Sequence, residues 1–221
     1  MTLNILYEDK DICVCVKPQG VLAQGNKSFD VDMVSLLKTR YKSNSEEPYI
    51  AVINRLDRPV SGIMLFARNK KSANSLTNQL TKHNMNKCYY AICCGTPCDE
   101  SGTFTDYLLK SATSNTSTVV PKDTKGAKEA RLSYELINTF NKDNLDLSLV
   151  KIKLHTGRHH QIRVQFASHN LPLLYDAKYN PLYANKRSNG LVALCAYKLE
   201  FAHPTTGKLM SFEIEPEWNN Y

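Results

Sequence analysis

The sequence lacks any apolar run approaching the roughly 18 residues that are needed to span a bilayer. Residues 1–9 contain neither a basic segment nor a sustained apolar core, so they do not fit a secretory signal peptide. These absences predict a cytoplasmic protein that does not cross or enter a membrane.

Metal-binding spacing is also missing. The chain has seven cysteines, an odd number, and no Cys-x-x-Cys pair. A structural zinc site and a disulfide framework are therefore disfavoured, and buried reduced thiols are expected. The adjacent histidines His159 and His160 lack the i, i+4 spacing of a helical zinc pair. We expect no bound metal.

Several enzyme classes lose support because their motifs do not occur. The chain has no Walker loop, Gly-x-Gly-x-x-Gly, Gly-x-Ser-x-Gly or His-Glu-x-x-His. A retaining glycosidase would need a second carboxylate paired with Asp57, and no acidic residue stands out for that role. A glycosidase or another hydrolase that uses Asp57 stays open as an alternative.

The composition is that of a globular protein with an anionic partner. The 221 residues are 42% hydrophobic, which is enough for a substantial core. The net charge is +7 and the isoelectric point is near 9.0. Nucleic acid is the commonest partner of such a chain, although net charge alone discriminates poorly.

Hydrophobic patterning predicts mostly strands with a few helices, which is typical of an α+β fold. A helix is expected after Asp30 as N-cap, a second over 72–83 with Ser72 as N-cap, and a short third after Thr156-Gly157. The expected strands cover 12–16, 87–93, 130–140, 145–154, 191–196 and 210–214. The apolar phase of 145–154 flips near Val150, which suggests a bulge or bend.

Residues 111–128 show no hydrophobic period and are rich in Ser, Thr, Asn and Lys. We predict a long exposed loop there. Lysines 122, 125 and 128 make it basic, so it is either a solvated connector or a loop that contacts RNA.

The chain is organised around residues 54–62, where Asp57 lies between Arg55 and Arg58. Nearby positive charge favours the ionised form of a carboxylate. An ionised carboxylate can act as a nucleophile, and arginines can hold phosphate. The alternative interpretation is a surface ion-pair cluster in a loop.

A second polar cluster combines His155, Arg158, His159, His160 and Arg163. Arginines at the start of a helix can bind phosphate, and a basic solvent-exposed face is the alternative. On the strand over 87–93, Tyr89 and Tyr90 must point to opposite sides of the sheet. One of them can pack in the core while the other lines a cleft.

The segment Arg55-Leu56-Asp57-Arg58-x-x-Ser61-Gly62, followed by Ile63-Met64-Leu65-Phe66-Ala67, resembles the signature of the RluA-type pseudouridine synthases. Further motifs of that family occur in order along the chain, two before this segment and three after it. They are Ile5-Leu6-Tyr7-Glu8-Asp9, Lys17-Pro18-x-Gly20, Lys87-x-Tyr89-x-Ala91, Thr156-Gly157-Arg158-x-His160-Gln161-Ile162-Arg163-Val164 and Leu199-x-Phe201-x-His203-Pro204. Asn54 replaces the usual His, Pro59-Val60 precede Ser61 where Thr is commoner directly before it, and residues 175–180 match the usual Gly-Asp-x-x-Tyr-Gly only loosely.

The resemblance implies a mixed, largely antiparallel sheet core with peripheral helices and a central cleft. It also implies isomerisation of uridine to pseudouridine in ribosomal or transfer RNA, without cofactor or metal. Because the motifs begin near residue 1, we expect one catalytic domain over 1–221 without the S4-like domain of many relatives. The sequence carries no signal for oligomeric state, and a monomer is the default expectation. A non-catalytic RNA-binding module is the competing hypothesis.

The resemblance also implies roles for individual residues. Asp57 would be the nucleophile, Tyr89 would stack on the target uracil, and Arg163 would pair with Asp57 and keep it ionised. The expected RNA-binding residues are Arg55, Arg58, Lys87, Arg158, His160 and Gln161.

Overall fold

The computed structural model describes residues 2–25, 30–43, 47–184 and 191–218. The chain divides into two compact units. Unit 1 comprises Met1–Asn86 and Ala196–Tyr221, and unit 2 comprises Lys87–Cys195. The single catalytic domain expected from the sequence stays a prediction.

The strands, in chain order, are β1 (Asn4–Glu8), β2 (Ile12–Lys17), β3 (Ala51–Val52), β4 (Ser61–Ala67), β5 (Asn86–Cys94), β6 (Ser101–Lys110), β7 (Ser117–Val120), β8 (Lys128–Lys142), β9 (Leu145–Leu154), β10 (Leu194–Ala202) and β11 (Leu209–Glu213). The helices are α1 (Met33–Tyr41), α2 (Lys70–Thr81) and α3 (Gln161–Ser168), with a 3-10 turn at Pro181–Tyr183.

Unit 1 is a sheet in the order β1-β2-β4-β10, with β3 paired to β4 and β11 paired to β10. Every residue of β4 is buried, and β2 is nearly as buried. Strands covered on both faces read as continuous apolar runs, which explains the sequences of β2 and β4. Leu76 of α2 packs into the core beside Val14 and Leu65.

Both helices of unit 1 exist, but their predicted caps are wrong. The carboxylate of Asp32, not Asp30, accepts the Ser35 backbone N–H at 3.1 Å, and α1 starts at Met33. Asn69, not Ser72, caps α2 by accepting the Ser72 N–H at 2.8 Å. The correction follows from tertiary contacts, because the Ser72 hydroxyl is turned towards Asp11.

Unit 2 contains an antiparallel sheet in the order β5-β9-β8-β6-β7. The predicted phase flip of β9 has its counterpart in the neighbouring strand. Leu136 pairs with Val150 and Asn138 pairs with Leu149, so Ile137 of β8 is an extra, bulged residue. The bulge is therefore real, but it belongs to β8.

The prediction of a structureless loop over 111–128 is wrong in part. Residues Ser117–Val120 form β7, which pairs with β6 from Tyr107↔Val120 to Lys110↔Ser117. The segment has no hydrophobic period, so its strand conformation is stabilised by the backbone pairing with β6. Lys122 and Lys125 lie exposed in the connection to β8, and Lys128 is the first residue of β8.

The α+β expectation is confirmed, since the described residues combine mostly antiparallel strands with three α-helices. In the part of the chain that the structure describes, no helix is both long and apolar enough to span a bilayer.

Gly62 has a conformation and an environment that an alanine cannot share. Its φ is 127°, and a Cβ built there would lie 2.5 Å from the backbone nitrogen of Ala196. We expect Gly62→Ala to lower the free energy of unfolding by about 2–3 kcal/mol, because strain and a backbone clash add. Urea unfolding followed by circular dichroism measures the change.

Gly207 provides the control for this prediction. Its φ is 71°, and no atom lies within 4 Å of an added Cβ. Gly207→Ala should cost only backbone strain, about 1 kcal/mol. Equal losses at the two glycines would contradict a packing role for Gly62.

Candidate functional site

The loop that carries Asp57 is fixed to β4 by Asn54. The Asn54 side chain is buried, its Nδ2 donates to the Ile63 carbonyl at 3.1 Å, and its Oδ1 accepts the Leu65 N–H at 2.7 Å. At the start of the loop, the Asn54 side chain thus makes the hydrogen bonds to β4 that a neighbouring strand would otherwise make. This gives Asn54, the departure from the family pattern, a defined structural role.

Residues 55–60 alternate between anchored and accessible positions. Leu56 and Val60 are buried, Arg55 and Arg58 are exposed, and Asp57 is half-buried. The Val60 N–H donates to the Asp57 carbonyl at 3.0 Å and closes a tight turn. The apolar anchors hold the backbone while the charged side chains between them stay accessible.

The far side of the loop is tied to the turn after β2. The Gly20 N–H donates to the Arg58 carbonyl at 2.9 Å, and Arg58 Nε donates to the Gly20 carbonyl at 2.9 Å. The Arg58 guanidinium also pairs with Asp30 at 3.2 Å. This ion pair explains why Asp30 is not the α1 cap.

Lys17, at the end of β2, is fully buried and points into this same turn. Its Nζ donates to the carbonyls of Pro18, Val21 and Arg58 at 2.9, 2.8 and 3.2 Å. The pKa of Lys17 is lowered to about 7, chiefly by burial and also by the Arg58 charge, while the charge of Asp57 opposes the shift. The Lys17 ammonium therefore links the turn after β2 to the loop that carries Asp57, and it also interacts electrostatically with Asp57.

In unit 2, β5 presents Tyr89 and Tyr90 on opposite faces, as predicted. Tyr89 is buried and pairs with Ile152, whereas Tyr90 is half-buried with the Lys151 ammonium 5.9 Å from its ring centre. Lys87 shares the Tyr89 face. Burial lowers the pKa of Lys87, and among the described residues no carboxylate pairs with it.

Arg163 on α3 is buried, and its ion pair with Asp176 is bidentate. Arg163 Nε and Nη2 donate to the two Asp176 carboxylate oxygens at 2.8 and 2.7 Å. Asp176 is fully buried and also accepts the N–H groups of Lys178 and Tyr179. The guanidinium lies 5.3 Å from the Tyr179 ring centre. The position of Arg163 is thus fixed within unit 2, and its pairing with Asp57 stays a prediction.

The turn before α3 is organised by Gln161. Its Oε1 accepts from the Thr156 hydroxyl at 2.8 Å and the Arg158 N–H at 2.9 Å, and its Nε2 donates to the Arg131 carbonyl at 3.1 Å. The buried amide therefore holds the turn, and the RNA contact expected of Gln161 stays a prediction. Arg158 is half-buried, and its Nε donates to the Glu129 carbonyl.

His160 immediately precedes α3 in a left-handed conformation, with φ 54°. Its Nδ1 lies 2.7 Å from the Tyr179 hydroxyl, and its ring stacks on His159 at 3.8 Å. A non-glycine residue in this region is strained and persists only where its surroundings fix it. The predicted RNA contact of His160 would therefore involve a residue held in place by side chains of unit 2.

In the described ranges, Asp9, Asp11 and His203 could geometrically surround a metal ion. Their hydrogen bonds explain the cluster without one. His203 Nδ1 accepts the N–H groups of Thr205 and Thr206, which leaves the proton on Nε2 to donate to Asp9 at 2.9 Å. Asp11 accepts from Asn69, Ser72 and Thr205. The group pins the turn before β11 to the β1–β2 turn.

Two residues of the site were not identified by sequence reasoning, although each had a signal. Lys17 belongs to the Lys-Pro-x-Gly motif, which served only as a mark of the family. Asp176 lies in the loosely matched segment 175–180. In both cases the sequence showed the motif, but it did not show that the residue is a buried charge whose hydrogen bonds hold the surrounding loops.

The family model for RNA pseudouridylate synthase matches residues 11–168. An uncharacterized RNA pseudouridine synthase of Aquifex aeolicus is 32% identical, with 96% of this chain and 69% of that protein aligned. Ribosomal large subunit pseudouridine synthase D of Neisseria meningitidis is 31% identical, covering 96% of this chain and 58% of its own length. The chain thus spans between about three fifths and two thirds of these relatives.

The fold is also found in a solved human structure, RNA pseudouridylate synthase domain containing 1. It superposes with a TM-score of 0.79 at 21% identity, covering 97% of this chain and 84% of that chain. Together with the family match, these similarities confirm the RluA-type resemblance. The chain belongs to the RNA pseudouridylate synthase family.

Lys17 predicts a specific pH dependence of stability. Unfolded lysine titrates near 10.4, as a rough reference value, whereas the folded pKa is about 7. Between these values the unfolded state binds more protons, so stability rises with pH by up to about 1.4 kcal/mol per pH unit. Below the folded pKa both states are protonated, and this contribution to the slope vanishes.

Urea unfolding of the wild type and Lys17→Met from about pH 6 to about pH 10 tests this expectation. The difference between the two proteins should change with pH, because only the wild type carries the buried amine. Parallel curves would show that Lys17 keeps an ordinary pKa in the folded state.

Proposed function

We propose that this protein isomerises specific uridines to pseudouridine in structured RNA, with Asp57 as the nucleophile. The observation that carries the proposal is the loop of Asp57. Asn54 anchors its start, Lys17 binds the Arg58 carbonyl on its far side, and Asp57 between them stays half-buried. A carboxylate that is partly accessible and carried by a rigid loop is suited to nucleophilic attack, and here it also belongs to the family's signature motif.

The reaction begins when the target uridine leaves the RNA stack, at a cost of a few kcal/mol. Asp57 then attacks either the ribose C1′ or the base C6, and the glycosidic bond between N1 and C1′ breaks. The uracil rotates, C5 bonds to C1′, and the bond to Asp57 breaks, which frees the carboxylate. C5 loses its proton to solvent and N1 takes up a proton from solvent, so the product is an isomer of the substrate and no cofactor is consumed.

Tyr89 and Arg55 are the residues we assign to the extruded base. Stacking on Tyr89 contributes about 1–3 kcal/mol, which offsets much of the cost of extrusion. Arg55 is exposed and lies two residues from Asp57, so it can fill the space that the base leaves or contact the backbone.

Arg163 is proposed to pair with Asp57 and keep it ionised once the RNA excludes water. Asp176 supports this role because it takes Nε and Nη2, which fixes the plane of the guanidinium. A pairing with Asp57 would then use the remaining donors of a group that cannot rotate.

We assign phosphate binding to Arg58, Lys87, Arg158 and His160. Lys87 has the clearest physical reason, since its ammonium is desolvated and no described carboxylate neutralises it. A phosphate would restore the lost electrostatic stabilisation. Ribosomal or transfer RNA in the cytoplasm is the proposed substrate of a monomeric enzyme. The name of the Neisseria relative makes large-subunit ribosomal RNA the first to test.

Replacement of Asp57 tests the proposal directly. Asp57→Asn and Asp57→Ala should reduce pseudouridine formation to background, because neither side chain can form the covalent bond. The purified proteins are incubated with ribosomal and transfer RNA from cells that lack the gene. Pseudouridine is then mapped by chemical labelling, and circular dichroism confirms that the variants are folded.

The exposed Asp99 supplies a matched control, and Asp99→Asn should be as active as the wild type. Undiminished activity of Asp57→Asn would remove Asp57 as the nucleophile. A wild-type protein that binds these RNAs and converts no uridine would favour the non-catalytic binding module.

The basic connection after β7 gives a second prediction. Neutralising lysines 122, 125 and 128 together to Gln should weaken RNA binding and reduce the slope of log K against log salt by roughly 0.7–0.9 per lost phosphate contact. Affinity is measured by filter binding between about 50 and 200 mM salt.

The control replaces three exposed lysines of or beside α2, namely Lys70, Lys71 and Lys82, by Gln. The net charge changes equally in both triple variants. If both lose the same affinity, overall charge and not the connection after β7 attracts the RNA.

A further inference from the structure

The β6–β7 hairpin, residues 101–120, is docked through its turn onto the start of α3. His159 Nδ1 lies 2.9 Å from the Ser117 hydroxyl, and His159 Nε2 lies 3.0 Å from Asn115 Oδ1. Lys178 Nζ donates to the Asn115 carbonyl at 2.8 Å, and the Ser117 N–H donates to the Tyr179 hydroxyl at 2.8 Å. These four hydrogen bonds join the turn of the hairpin and the first residue of β7 to His159 and to residues 178–179, all within unit 2.

His159 uses both ring nitrogens in this contact. Asn115 Oδ1 can only accept a hydrogen bond, so His159 Nε2 carries the proton and donates. Nδ1 then accepts from the Ser117 hydroxyl. A movement of the hairpin relative to α3 would break two hydrogen bonds of one residue.

A continuous set of contacts leads from His159 to Arg163. The His159 and His160 rings are stacked with centroids 3.8 Å apart, and His160 Nδ1 contacts the Tyr179 hydroxyl at 2.7 Å. The Tyr179 ring lies beneath the Arg163 guanidinium, and the Tyr179 N–H donates to Asp176, the ion-pair partner of Arg163. The hairpin thus reaches Arg163 through His159, His160 and Tyr179, and also through Tyr179 alone, whose hydroxyl accepts the Ser117 N–H.

The backbone at this point favours a response to the hairpin. His160 has a φ of 54° immediately before α3, a conformation that a non-glycine residue keeps only when its contacts enforce it. Its contacts include His159, which the hairpin holds, and Tyr179, which binds Ser117 of the same hairpin, and its carbonyl accepts the Val164 N–H. Loss of the hairpin contacts would weaken the restraints on the strained residue.

We propose that His159 is a positioning residue that couples RNA bound beside the β6–β7 hairpin, at the basic connection that follows it, to the placement of Arg163. The inference rests on the proposed function, in which that connection contacts RNA and Arg163 serves the reaction. RNA that holds the hairpin in its docked position stabilises the conformation of His160, and with it the start of α3. Binding away from the target base thereby stabilises the start of α3, from which Arg163 projects in its fixed orientation.

Hydrogen exchange in the presence of RNA tests the coupling without depending on catalysis. In the wild type, saturating ribosomal RNA should slow exchange in the hairpin and also in residues 160–164. In His159→Ala the hairpin should still be protected, while the additional protection of residues 160–164 is lost. Equal protection of both segments in the two proteins would overturn the proposal, as would an absence of RNA protection in the wild-type hairpin.

Kinetics provide the second readout. We expect His159→Ala to lower kcat about tenfold, a typical size for a coupling residue, with KM for RNA changed less than about twofold. His159→Gln should recover part of the loss, because an amide offers one donor and one acceptor. A uniform rise of KM with normal kcat would instead make His159 a simple RNA-binding residue and overturn the proposal.

Ser117→Ala identifies the route through the hairpin. Its loss of kcat should not add to that of His159→Ala in the double variant, because both break the same contact. Additive losses would overturn the coupling through Ser117. Thr105→Ala, an exposed hydroxyl on β6 with no hydrogen bond among the described residues, should behave as the wild type.

The two proposals fail in different ways. If the wild type makes no pseudouridine, the proposed function fails, whereas hydrogen exchange still decides whether RNA on the hairpin orders residues 160–164. If the wild type is active and His159→Ala matches it in kcat and in exchange, only the coupling fails.

Discussion

The ion pair between Arg163 and Asp176 is the interaction on which the arrangement of unit 2 depends. Both side chains are buried, and the carboxylate accepts two guanidinium and two backbone N–H groups. Removing one partner from such a pair typically costs about 3–5 kcal/mol, since an uncompensated buried charge remains. The pair therefore fixes α3 to residues 176–180, and Tyr179 in turn holds His160 and the turn of the hairpin.

In unit 1, the buried ammonium group of Lys17 holds a turn in place. Among the described residues no carboxylate forms an ion pair with Lys17, whose ammonium donates to three carbonyl oxygens while the charge of Asp57 also acts on it. Carbonyl dipoles compensate for part of the desolvation, and the depressed pKa reports what is left uncompensated. In both units, polar groups inside the protein hold loops that would otherwise be free to move.

The sequence predicted local structure best where one strand or helix is enough to create the pattern. The sequence alone predicted the apolar runs that form β2 and β4, the helix α2 and the strand that carries Tyr89. Prediction failed where a partner element supplies the stabilisation. β7 has no hydrophobic period of its own, and its strand conformation is stabilised by pairing with β6. The two residues predicted as caps make other contacts, since Asp30 pairs with Arg58 and the Ser72 hydroxyl donates to Asp11.

The sequence by itself determined the family, the α+β class and the candidate residues Asp57, Tyr89 and Arg163, because ordered motifs and periodicity are properties of the chain. Only the tertiary structure decided what surrounds those residues. It assigned Gln161 to the turn before α3, brought Asp176 to Arg163 and buried Lys17 beside the Asp57 loop. Those roles depend on burial and on hydrogen-bond partners distant in sequence, and neither is encoded in the spacing of a motif.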